Sequence, residues 1–205
     1  MDFLALGFFT GLSLILAFGA QNIFVMEQGL KKQFIFIVCL ICSISDFLLI
    51  FFGIFLFESF KIYFNNLVES ILNILLFIFL IYFIFSKIKT NYLSYNLNTS
   101  ISDISFKSVI IKTLGFTYLN PHVYSDTVFF LGNFSKNFEL NDKILFGLGA
   151  SSSSFIFFFA LGYLSKLLSK YLMNIKTQKV INLFIILFMS SLAIYVLREI
   201  LRFYI

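Results

Sequence analysis

The chain has 205 residues, 60% of them hydrophobic and 12% charged, with 32 Phe, no Trp and a formal net charge of +5. A soluble domain of this length cannot hide so much apolar surface, which excludes an ordinary water-soluble fold. The basic residues sit in short stretches beside apolar runs, a pattern of membrane orientation rather than of nucleic-acid binding.

Apolar runs of roughly 18 residues or more with few charges predict transmembrane helices. Six are found, at 3–26, 34–57, 67–86, 108–133, 144–168 and 179–201, so the expected fold is all-α and integral to the membrane, one transmembrane domain over residues 1–205. The first run starts at Phe3 behind only Met1 and Asp2, with no basic leader, and is expected to be a retained helix rather than a signal peptide. Within it, GFFTG (7–11) has the GxxxG spacing that lets helices approach closely. AFGAQN (17–22) interrupts the run: Gly19 permits unusual backbone angles, and the amides of Gln21 and Asn22 can bond freed carbonyls.

The second run carries CLIC (39–42) and Asp46. Cys39, Cys42, Ser43 and Gly53 share a helical face with Asp46, whereas Phe47, Phe51 and Phe52 suit lipid or packing. After the third run comes the longest polar interval, 87–107. The fourth run contains LNPHVYSD (119–126), with the only proline and only histidine of the chain. Pro121 cannot bond the carbonyl of Thr117 and biases Asn120 away from helix. Asp126 follows His122 by four residues, within reach on one helical face, and such a pair can hold or relay a proton. The fifth run has a small-residue surface, GLGASSSS (147–154), in which Ser151 and Ser154 either pack or line a cavity.

Basic loops near helix ends stay cytoplasmic. The first, third and fifth loops hold Lys31, Lys32, Lys87, Lys89, Lys107, Lys112, Lys166, Lys170, Lys176 and Lys179; the other side holds Lys61, Lys136, Lys143, Arg198 and Arg202. Both termini are therefore expected to face away from the cytoplasm. The polar interval divides three runs from three, which implies halves of opposite orientation, a 3+3 inverted repeat. The first helix of each half is interrupted beside an amide, and paired interruptions point to a midplane binding site.

Of the ten acidic residues, eight fall in loops or near run ends, while Asp46 and Asp126 lie within apolar spans. An ionisable group there costs about 2.5–3.5 kcal/mol on insertion scales and faces protein or a watery cavity. With no basic residue but Lys112 near either aspartate in sequence, the site favours a proton or a cationic solute. The helix start after Pro121 offers free N–H groups for a carboxylate, so the pair of features suits a cationic amino acid. No phosphate loop, nucleophile motif or metal cluster is present, so neither an enzyme nor a cofactor is expected. A same-fold transporter of a neutral amino acid or another cation is the alternative, and a thiol-redox carrier using Cys39 and Cys42 a weaker one. The GxxxG surface also allows a homo-oligomer.

The segments GFFTGLSLILAFGAQNIFVMEQGL (7–30), SDFLLIFFGIF (45–55) and TYLNPHVYSDTVFFLG (117–132) resemble the LysE family of basic amino-acid exporters over nearly the whole chain. The resemblance implies efflux of L-lysine, L-arginine or close analogues across the bacterial inner membrane, driven by the electrochemical gradient; protonation of an aspartate is expected to release the cation outward and couple the cycle to protons. It marks Asp46 and Asp126 as important, and its amide and proline positions fall on Gln21, Asn22, Asn120 and Pro121. Ser125 departs from a position that is often apolar in the family. Family members have been described with five spans and a cytoplasmic N-terminus; the six runs and the lysine distribution of this chain predict both ends outside.

Overall fold

The computed structural model describes residues 2–16, 19–60, 66–97, 105–170 and 175–204. Within them the elements are α1 (Phe3–Ile15), α2 (Ala20–Lys31), α3 (Ile35–Phe60), α4 (Asn66–Leu97), α5 (Phe106–Tyr118), α6 (Pro121–Val123), a π-helical segment (Tyr124–Phe130), α7 (Leu131–Ser135), α8 (Leu140–Leu168) and α9 (Ile175–Tyr204). Among the described residues, three helical stretches are long and apolar enough to cross a membrane: Ile35–Phe57, Leu140–Leu168 and Val180–Arg202. The α1–α2 pair makes a fourth if it is one broken span, and α4 contains a shorter apolar stretch, Ser70–Ser86.

Two expected spans are therefore not continuous helices. The run at 3–26 is two helices whose axes differ by 84°, and α2 continues past it to Lys31. The run at 108–133 is divided among α5, α6, the π-helical segment and α7, because Pro121 removes a backbone donor. A third difference concerns the polar interval at 87–107: α4 runs on to Leu97, since a helix leaving the bilayer keeps its backbone bonds while its side chains turn polar. Residues 98–104 lie outside the described residues.

Local chemistry sets the helix ends. The Asp2 carboxylate accepts from the N–H groups of Leu4 and Ala5 at 3.1 and 3.2 Å and caps α1. At the end of α2, Lys32 is left-handed (φ 58°), and the N–H groups of Lys32 and Gln33 donate to the carbonyls of Gly29 and Gln28 at 3.0 and 3.1 Å.

α8 is the central element, packed against α1, α2 and α3. Small residues make the α1–α8 contact close: a methyl on Gly7 would run into the Phe146 backbone, and one on Gly149 into the Leu4 backbone. α3 also packs against α5, the π-helical segment and α7, while α4 pairs with α9. Large apolar side chains such as Phe9, Phe85, Ile156 and Leu187 face outward, as lipid contact requires.

Candidate functional site

The first interruption is chemically resolved by its amides. The Asn22 side-chain amide donates to the carbonyl of Ile15 at 3.1 Å, capping a group that the end of α1 leaves open. Gln21 is buried, yet its amide nitrogen has no partner among the described residues. Gly19 caps α2 in ordinary extended geometry (φ −116°, ψ −178°), and a Cβ built on it meets nothing within 4 Å. Its conformational freedom is therefore not used; the expectation of unusual backbone angles there is corrected. Gly19→Ala is predicted to insert and fold like the parent, with detergent melting temperature unchanged, while the added methyl projects into the cavity described below and weakens solute binding severalfold.

The second interruption uses hydroxyls. Tyr124 donates to the carbonyl of Tyr118 at 2.9 Å, Thr127 to that of Val123 at 2.6 Å and Ser125 to that of Pro121 at 3.4 Å. The following seven residues, Tyr124–Phe130, are π-helical and carry Asp126. π-turns inside α-helices are rare and concentrate at functional sites. This one is held from outside: Gly53 of α3 lies so close that a methyl there would stand 2.6 Å from the Cα of Val128.

Both interruptions open on one cavity of about 270 Å³. That is close to the roughly 300 Å³ at which small-molecule pockets begin, room for one compact solute. Gly19, Gln21 and Asn22 line it from the first break, and Asn120, Asp126 and Thr127 from the second. Asp46 enters from α3, 4% exposed, and accepts a hydrogen bond from the Ser154 hydroxyl of α8 at 2.7 Å. No Lys or Arg is among the described lining residues. The ammonium of Lys112 sits instead over the Phe83 ring, 5.6 Å from its centroid. The expected inward face of α3 is present, with Cys39, Cys42, Ser43, Asp46 and Gly53 all buried.

The structure thus brings together seven of the expected site residues: Gly19, Gln21, Asn22, Asp46, Asn120, Asp126 and Ser154. Three stand apart. Pro121 is buried behind the wall as the first residue of α6, and Ser151 is buried but does not line the cavity. The side chain of His122, and with it the His122–Asp126 pairing, lies outside the described residues. Sequence reasoning missed Thr127 and the walls from α4 and α9, including Leu76, Leu80 and Tyr195. Thr127 was within reach as the neighbour of Asp126; the apolar wall residues carry no signal that separates them from lipid-facing ones. Cys39 donates to the carbonyl of Phe158 at 3.2 Å, and both thiols are free and buried, as packing residues are.

Two interrupted helices meeting at a small cavity lined by two carboxylates, in a chain with long apolar helices, are the arrangement of a membrane solute translocator. The LysE type translocator family matches residues 12–200, and the chain belongs to it. It is similar to the arginine exporter protein ArgO of Pectobacterium atrosepticum, 35% identical over 196 residues that cover 94% of this chain and 95% of that protein. The proteins of the same name from Klebsiella pneumoniae and Salmonella typhimurium are 34% identical over 201 residues, covering 94% of this chain and 92% of each. No solved structure matches. The chain is accordingly a multi-pass inner-membrane transporter of the amino-acid exporter class and not an enzyme.

Proposed function

We propose that the chain exports basic L-amino acids, arginine and lysine, by secondary transport with alternating access. One observation carries the proposal: Asp46 and Asp126, far apart in sequence, line one small cavity, and no Lys or Arg is among the described residues of its walls. A guanidinium or ammonium side chain carries the charge that complements two carboxylates, and a guanidinium can pair with a carboxylate through two hydrogen bonds. The amino-acid end has partners at the first break, where the N-terminus of the 12-residue α2 presents backbone N–H groups and Gln21 a buried amide nitrogen without a partner. Asn120 offers a second amide from the opposite wall. The names of the relatives, arginine exporters, agree with this assignment.

The packing supports two inverted halves. Exchanging α1 with α5, α2 with the stretch from α6 to α7, α3 with α8 and α4 with α9 turns the α1–α8 contact into α5–α3, the α2–α8 contact into those of the π-helical segment and α7 with α3, and the α2–α9 contact into α6–α4, and maps α3–α8 and α4–α9 onto themselves. All of these contacts occur. In the proposed cycle one half rocks against the other around the cavity, and protonation of an aspartate from outside releases the cation and couples export to the proton gradient.

The test loads cells lacking their own exporter with dipeptides containing arginine, lysine or alanine and follows release of each amino acid. Faster release of arginine and lysine, dissipated by an uncoupler, with alanine unaffected, is the expected result. Release of alanine at the same rate would replace the proposal with a neutral amino-acid transporter, and no release from membrane-inserted protein would remove amino acids from consideration.

A further inference from the structure

A second charged site lies on α2, away from the cavity. Gln21 is at the cavity; Gln28, seven residues on, is about 10 Å further along the helix. Gln28 is wholly buried, and neither of its side-chain polar atoms has a hydrogen-bond partner among the described residues. Its neighbour Glu27, placed near a helix end by hydropathy alone, is 3% exposed and pairs with Lys31 at 2.6 Å. Lys112 of α5 is close enough to be attracted by Glu27 and repelled by Lys31. Between this cluster and the cavity stands an aromatic layer, in which Phe24 packs on Phe83 and Phe116 with ring centroids 6.2 and 5.2 Å apart.

The Lys31 partner of Glu27 is unusual for a buried carboxylate. It is a long side chain one turn on in the same helix, 24% exposed against 4% for the Glu27 side chain, so it reaches inward from the surface. Such a stem can swing outward without moving any helix. Its ammonium on a four-carbon chain is also the group that a lysine solute carries. The lysine distribution puts the 31–32 loop on the cytoplasmic side, so an exported solute arrives at this end of α2 before it meets the cavity.

We propose that Glu27, with Gln28 beside it, is an entrance subsite for the cationic side chain of the solute, and that Lys31 is a tethered competitor which occupies it until displaced. The inference rests on the basic amino-acid reading above. Displacement exchanges one ammonium or guanidinium for another at the same carboxylate, so no uncompensated charge is left buried. Gln28 supplies an amide oxygen able to accept from the arriving group. The aromatic layer beneath keeps the subsite and the cavity from joining into one open channel.

Inside-out membrane vesicles, whose outer surface is the cytoplasmic face, allow the test with labelled arginine and lysine. Removing a tethered competitor raises the apparent affinity, so Lys31→Gln is expected to lower KM about threefold or more. Glu27→Gln is expected to raise KM by about tenfold, and the double variant to behave like Glu27→Gln, because Lys31 acts only through Glu27. KM does not depend on how much protein inserts, which separates binding from expression. A Lys31→Gln KM that stays put or rises means that the pair is structural and overturns the subsite; this arm decides alone should Glu27→Gln fail to insert. Uptake by the parent with KM indifferent to Glu27→Gln overturns the subsite and leaves the exporter standing. No uptake of either amino acid by the parent overturns both.

Discussion

Asp46→Asn is expected to lower arginine efflux at a fixed internal concentration by about 30-fold or more, and Asp126→Asn to do the same. Removing one partner of a buried, hydrogen-bonded charge pair costs about 2–5 kcal/mol, and each 1.4 kcal/mol is roughly a factor of ten. The substitution isolates charge from shape. Asn has nearly the same size and still accepts from the Ser154 hydroxyl, so the contact between α3 and α8 is retained. If Asp46 served only to join those two helices, efflux would stay within a few-fold of the parent and the melting temperature in detergent would not move. Concentration dependence sharpens the result: the loss should lie in apparent affinity, and raising internal arginine should recover part of the rate. An equal loss at saturating arginine would place Asp46 in the coupling step and not in solute binding.

Gly53→Ala is expected to be nearly as damaging, although Gly53 does not line the cavity. The added Cβ meets the Cα and carbonyl oxygen of Val128 at 2.6 Å and the carbonyl oxygen of Thr127 at 2.7 Å. These are backbone atoms of the π-helical segment, so relief requires moving the stretch that carries Asp126 or separating it from α3. Overpacking of this kind costs about 1–3 kcal/mol. The expected outcome is a lower melting temperature together with roughly a tenfold loss of efflux. Gly19→Ala is the internal control for stability, since that position opens onto space and its melting temperature should stay at the parental value. An equal fall in melting temperature from both would sink the explanation through the π-helical segment.

How far these sites could be read in advance depended on whether composition or direction was at issue. Asp46 was legible because small and polar residues recur around it at helical spacing, and that periodicity survives in any packing. The interruptions were legible at Gly19 and Pro121, although only Pro121 acts through its own backbone; Gly19 merely marks the place where α2 starts. The 84° turn between α1 and α2 was not legible, since an apolar run records composition and carries no heading. That turn is what makes Glu27 a buried residue instead of the loop residue its sequence position suggests. The π-helical segment was equally hidden, because a lost donor at Pro121 and the contact from Gly53 widen the helix through tertiary packing, which local propensity does not encode. Ser151 and Ser154 show the limit most narrowly: three residues apart on α8, both are buried, and only one reaches the cavity.

The enclosure of α2 bears on how the protein is made. Nine of its twelve residues are buried, Gln21, Asn22, Glu27 and Gln28 among them, and its packing partners include α5, α8 and α9 as well as α3. On the ribosome these polar groups leave the exit tunnel long before α8 and α9 exist. Through that interval the first half has no completed environment for them in lipid, where unsatisfied polar groups are costly. Its early placement in the membrane is therefore provisional, and the topology of the N-terminal half becomes final only when the C-terminal half arrives to enclose it.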